Sequence, residues 1–150
     1  MTGVMVLVVQ HDKETHAMTA NAVTSLSLEP MLVLVCVEKK GRTHTLLQNA
    51  KNFTLSILNE AQTELGKKFA YDHNARANPR AHAPLTTTAT GAPVLKDSLG
   101  YLDCRIVEHY EGGDHTIFIG EVMDAGLGTG EAKPLMYYGG KFISLDGKSE

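Results

Sequence analysis

The sequence is poor in cysteine, with only Cys36 and Cys104, and neither belongs to a CxxC pair. Seven histidines show neither an HExxH motif nor a Cys/His cluster with zinc spacing, so no metal site is expected. Both thiols lie inside apolar stretches, where a free cysteine behaves as a small hydrophobe, and the chain reads as a reduced, cytoplasmic protein. Long apolar runs are also missing. The longest, Met31 to Val37, is seven residues, against the roughly 20 that cross a bilayer. No basic region precedes the apolar Val4 to Val9, so neither a membrane span nor a targeting segment is expected. Fourteen Lys and Arg against 17 Asp and Glu give a net charge of −3. No block of five like charges occurs, and without that electrostatic footprint nucleic acid is not an expected partner.

What is present is enough apolar material, 43% of 150 residues, for one core, and residues 1–150 are read as a single domain. Val4 to Gln10, Met31 to Val37 and Phe53 to Leu58 have the apolar, β-branched character of strands. Leu102, Cys104 and Ile106 fall on one face of another, with Asp103 and Arg105 opposite. The turn Glu111-Gly112-Gly113-Asp114 leads into a strand from His115 to Met123. Gly139-Gly140 suits the positive φ angles of a two-residue hairpin between Leu135–Tyr138 and Lys141–Leu145. Two short helices are expected. One is capped by Thr43 and runs to about Ala50; the other follows Asn59, with Gln62 completing a capping box and Ala61, Leu65 and Phe69 inward. Six or seven strands with two or three short helices, without sustained βαβ alternation, predict a mainly β fold, a barrel rather than a parallel sheet. Tyr71 to Pro93 has no period and reads as a lid or mobile loop.

Three segments could carry chemistry. Lys39-Lys40-Gly41-Arg42-Thr43-His44-Thr45 places three cations, a glycine and hydroxyls at a strand-to-helix turn, which suits a phosphate; a solvated turn with a Thr cap is the alternative. Met18 to Ser27 is unusually polar between two apolar strands. If buried, its hydroxyls and amide need partners such as a heteroaromatic ligand with a polyol tail; otherwise it is an exposed edge strand. In Gly113-Asp114-His115-Thr116 the histidine starts a strand, either as a surface residue or as a ring that stacks on or bonds a ligand. Gly126-x-Gly128-x-Gly130 lacks dinucleotide-fingerprint spacing and opens no helix, and reads as a loop.

Taken in order, Thr2-Gly3-Val4, Met18-Thr19-Ala20-Asn21-Ala22, Thr24 to Pro30, Arg42-Thr43-His44, Phe69-Ala70, Thr90 to Leu95, Gly113 to Val122 and Leu135 to Phe142 give the chain its resemblance. It is similar over nearly its whole length to the flavin reductase-like proteins of the FMN-binding split-barrel class, the reductase components of two-component flavin monooxygenases. The resemblance implies a homodimer of split barrels that binds FMN or FAD, takes hydride from NADH or NADPH, and supplies reduced flavin to a monooxygenase partner. It implies flavin contacts from Thr19, Ala20 and Asn21, from Ser25 and Ser27 near the ribityl-phosphate end, from Lys40, Gly41, Arg42 and Thr43 around the phosphate, and from Phe69. His115, Tyr138, Gly139 and Gly140 are implied on the nicotinamide side, with no catalytic protein nucleophile. Three departures stand out: Gly41 where the family often has serine, Ala17 where glycine is usual, and Met1 directly ahead of a strand that usually follows a helix. An FMN-binding electron carrier with permanently bound flavin is the alternative, and a non-flavin interaction barrel a third reading.

Overall fold

The computed structural model describes residues 1–145. Its first half comprises β1 (Thr2–Gly3), β2 (Met5–His11), β3 (Glu14–Ala20), β4 (Val23–Leu28), β5 (Met31–Glu38), α1 (Arg42–Leu47) and β6 (Asn52–Ile57). A 3₁₀ turn (Glu60–Gln62) leads to α2 (Thr63–Tyr71), α3 (His73–Ala77) and α4 (Pro79–His82). The remainder is β7 (Leu85–Thr87), β8 (Pro93–Leu95), β9 (Gly100–Gly112), β10 (His115–Leu127), β11 (Met136–Tyr138) and β12 (Lys141–Ile143).

Seven strands pair antiparallel in the order β3-β2-β6-β9-β10-β5-β4. The outermost two, β3 and β4, are consecutive in the chain and joined only by Asn21 and Ala22. The Ala22 carbonyl accepts the Cys36 N–H at 3.0 Å. A sheet whose two edges are tied by two residues has to coil until they meet at that end, which gives a mainly β, split-barrel architecture.

Alternation along the strands fills the two sides of this sheet. Leu7, Val9, Val33, Val35, Val37, Phe53, Leu55, Cys104 and Phe118 form one buried cluster on the concave side, and Leu46 and Leu47 of α1 plug it. Gly120 is required there: a Cβ would stand 2.7 Å from both Cys104 Cβ and the Phe53 ring. On the other face of β2, Val4, Val6 and Val8 pack with Ala17, Phe69, Ala75, Leu135 and Phe142. Burial on both faces explains why β2 reads as an unbroken apolar run rather than an alternation.

Local signals translate directly. Gly139 and Gly140 take φ of +58° and +79° in the β11–β12 hairpin, and the Gln62 arm of the Asn59–Gln62 capping box forms, the Asn59 N–H donating to Gln62 Oε1 at 3.1 Å while the Gln62 N–H donates to the Asn59 backbone carbonyl at 2.9 Å. Several expectations need correction. Thr43 does not cap α1: Gly41 holds the cap position, the Thr43 hydroxyl is drawn 2.9 Å from His16 Nδ1, and the helix ends at Leu47. Ala61 is exposed, and Gly66 takes its place against the core because a 3₁₀ turn shifts the inward face. Tyr71 to Pro93 is not a loop. It holds α3, α4 and the β7–β8 pair, with the Asp72 carboxylate capping α3 by accepting the Asn74 and Ala75 N–H groups at 2.9 and 3.1 Å. That segment covers β9, so Asp103 is buried rather than solvated and accepts the Thr88 hydroxyl at 2.6 Å as well as that of Thr90. Among the described residues, no helix is long and apolar enough to cross a membrane.

Candidate functional site

A cleft of about 480 Å³ opens where α2 and α3 approach the end of β3 and the turn after β5. Met18 and Thr19 come from β3, Val37 and Glu38 from β5, Lys40, Gly41 and Thr43 from the turn into α1, Phe69 and Ala70 from α2, and His73 and Arg76 from α3. The Thr19 hydroxyl donates to the Gly66 carbonyl at 2.6 Å and ties β3 to α2. Phe69 is anchored in the second core, so its edge on the cleft is fixed.

The charge state of the cleft follows from burial. His16, behind Thr43, is only 5% exposed, and burial followed by the positive charge of Arg76 pushes its pKa down to about 4. Its ring is therefore neutral near pH 7. Arg76 is itself partly buried, which lowers its pKa from the ordinary arginine value, with Glu38 acting in the opposite direction. Its Nε is buried and unpartnered, and its Nη2 lies 3.8 Å from the point where a Cβ on Gly41 would stand. Lys40 and Arg76 thus give the cleft a cationic lining around Gly41, while Met18 and Ala70 supply apolar surface over the fully buried Val37 and Phe69. Apolar walls ending in two cations fit a planar ring system that carries a phosphate.

The residues expected from sequence are distributed unevenly. Thr19, Lys40, Gly41, Thr43 and Phe69 meet in this cleft. Asn21 joins Thr19 in an adjoining pocket of about 140 Å³, bounded by Tyr137 and Phe142. Ala20 packs into the barrel core, and Ser25 and Ser27 lie on the outlying strand β4, Ser25 exposed and Ser27 half-buried. Arg42 points elsewhere: its Nε and Nη2 donate to the Glu14 carboxylate at 2.8 and 2.5 Å, and that bond holds the Glu14 carboxyl below its usual range. His115 opens β10 opposite Glu38, so their side chains stand on one face of the sheet beside the cleft. Tyr138, Gly139 and Gly140 form the exposed hairpin tip. Arg76, His73 and Glu38 were not foreseen. Arg76 lies 34 positions beyond Arg42, in a segment read as a loop, and no local signal marks it.

Comparison with known proteins agrees with this architecture. The model of the family described as flavin reductase like domain matches residues 1–146. The reductase component of 4-nitrophenol 4-monooxygenase/4-nitrocatechol 2-monooxygenase from Rhodococcus opacus is 40% identical over 141 residues, covering 94% of this chain and 73% of that protein. The NADH-dependent FAD reductase of Streptomyces globisporus is 37% identical over 147 residues, covering 94% and 78%. Among solved structures, the Streptomyces globisporus NADH:FAD oxidoreductase SgcE6 in complex with NAD and FAD fragments superposes with a TM-score of 0.86 at 37% identity, covering 95% of this chain and 84% of that one. With a family model matched over residues 1–146 and relatives of this identity and coverage, the chain belongs to the flavin reductase-like family.

Proposed function

We propose that the chain, as one flavin reductase-like domain over residues 1–150, is an NADH-dependent reductase of FMN or FAD that hands reduced flavin to a partner monooxygenase. The observation that carries this reading is the cleft in which Thr19 from β3, Lys40, Gly41 and Thr43 from the turn into α1 and its first residues, and Phe69 from α2 converge. Nicotinamide and flavin bound together supply the hydride exchange themselves, from C4 to N5, so the protein has no bond to make. The task left to the chain is alignment and exclusion of water. Met18 and Ala70, backed by the buried Phe69 and Val37, exclude water from one face of the ring system, and Lys40 anchors the phosphate end. Asn21, Thr19 and Ala20 follow the ring and ribityl region along β3 and the linker to β4, while Arg42 reaches the phosphate only by giving up Glu14. His115 and the Tyr138-Gly139-Gly140 tip serve the nicotinamide. The two free cysteines agree with a cytoplasmic location.

The purified protein is expected to oxidise NADH over many turnovers of added FMN or FAD, followed by nicotinamide absorbance with each flavin in turn and with NADPH in place of NADH. A yellow protein that retains its flavin and oxidises no nicotinamide is instead an electron carrier, and that outcome removes the reductase reading.

A homodimer is part of the same proposal. Leu26 and Leu28 on β4 and Met31 at the start of β5 are exposed, Leu28 to 86%, along an edge that also carries Ser25 and Ser27. A second copy covering that edge removes the apolar surface from water and brings the serines toward a shared site. Sedimentation is expected to show a dimer at micromolar concentration; a fully active monomer contradicts it.

A further inference from the structure

We propose that Arg76 is the residue that pairs with the phosphate of the flavin nucleotide, a role that rests on the flavin-reductase reading above and that the sequence pointed toward Arg42. The two arginines differ in what they already hold. Arg42 is exposed and engaged through two nitrogens by Glu14. Arg76 forms no side-chain hydrogen bond or ion pair among the described residues, and its Nε is closed off from water. Glu38 acts on it through space, and no ion pair between the two is formed among the described residues. A partly desolvated guanidinium without a partner is costly, and an anion entering the cleft relieves that cost.

The surroundings select the kind of anion. Lys40 and Arg76 both line the cleft, and the Arg76 Nη2 stands beside Gly41, the chain neighbour of Lys40, where no side chain intervenes. Two cations opposed by Glu38 alone leave a net positive charge, suited to a phosphate, and the planar guanidinium fork matches two phosphate oxygens. Asp72 caps α3 through two N–H groups, and Ala75, next to Arg76, is buried in the second core. The backbone that carries Arg76 is therefore held at both its start and its middle, and a fixed donor loses less entropy on binding.

The test compares dissociation constants of FMN, FAD and riboflavin, read by flavin fluorescence with the whole chain, for the wild type, Arg76→Gln, Arg76→Lys and Arg42→Ala. Arg76→Gln is expected to weaken FMN and FAD by about tenfold and to leave riboflavin, which has no phosphate, unchanged. Arg76→Lys keeps the charge and loses the fork, so it is expected to show the same selectivity with a smaller loss, and it serves if the glutamine variant does not fold. Arg42→Ala is expected to weaken FMN less than Arg76→Gln does. Equal weakening of all three flavins, no weakening of FMN, or a larger effect at Arg42 overturns the proposal. So does an effect confined to NADH, which assigns the cleft to the nicotinamide nucleotide. A wild-type protein that binds none of the three flavins defeats the reductase reading itself, and the role of Arg76 with it.

Discussion

Replacing His115 with alanine is expected to raise the KM for NADH and to slow reduction of bound flavin, by as much as about a hundredfold, since a misplacement near 1 Å can cost that much in rate. The flavin dissociation constant is expected to stay nearly constant, because His115 is not among the residues that line the cleft. Its position is nonetheless specific. The turn at Gly113, with φ +68°, reverses the chain so that His115 pairs with Gly112 on one side and Glu38 on the other. Its Nδ1 lies 2.7 Å from Asp114 Oδ1, which orients the ring and leaves Nε2 to face a ligand. The side chain is 43% exposed, so a nicotinamide ring can reach it without rearrangement of the core. The opposing view is a turn histidine whose loss changes stability by no more than about 0.5 kcal/mol and leaves kinetics untouched. Steady-state kinetics with varied NADH, together with anaerobic single-turnover reduction, separate the two. Unchanged KM and an unchanged reduction rate take His115 out of the nicotinamide site.

How much of this site could be read from the sequence depends on how locally each feature is encoded. Gly139-Gly140 and Asn59 with Gln62 act within four residues, so turn and capping chemistry alone place them. Thr43 is the opposite case. A threonine at a strand-to-helix turn reads as a cap, but His16, 27 positions earlier, claims its hydroxyl. Asp103 alternates with apolar neighbours as a solvent-facing residue should, and only the fold of Thr88 and Thr90 over β9 makes its face interior. The same limit hid Arg76. Helices of four and five residues carry no apolar period, so α3 and α4 could not be seen, and with them went the cation that faces Lys40 and Gly41. Membership of the family was legible because it rests on ordered segments across the chain. The placement of Arg42 on Glu14 was not, because that pairing joins the start of β3 to the start of α1.

Acid is expected to weaken the fold in a window set by His16, and His16→Gln is expected to remove much of that loss. The group has a pKa of about 4 in the folded chain against an ordinary value of 6.5. Burial is the main cause; Arg76, Arg42 and His73 add to it, and Glu14 opposes it. Above pH 6.5 the ring is neutral in both folded and unfolded chains and contributes no pH dependence. Between 6.5 and about 4 the unfolded chain takes up a proton that the folded chain refuses, so stability falls as pH falls. Below about 4 both states are protonated and the loss levels off. The gap between the two pKa values corresponds to about 3 kcal/mol at most. His44, whose pKa burial also lowers, adds a loss of the same sign as pH falls below 6.5. The carboxylates of Glu14, Asp72, Glu111 and Asp114 are all held below their usual values, so their contribution starts to be lost from about pH 5 downward, overlapping the lower end of this window, and the comparison between the two proteins cancels it because both carry the same carboxylates. Glutamine at position 16 can still bond the Thr43 hydroxyl but cannot titrate. Urea unfolding of wild type and His16→Gln at pH 7, 5.5 and 4.5 reads the difference. The stability gap between the two proteins is expected to shift in favour of the variant by about 2 kcal/mol or more across that range. Parallel pH profiles, with the gap constant, place the acid sensitivity outside His16.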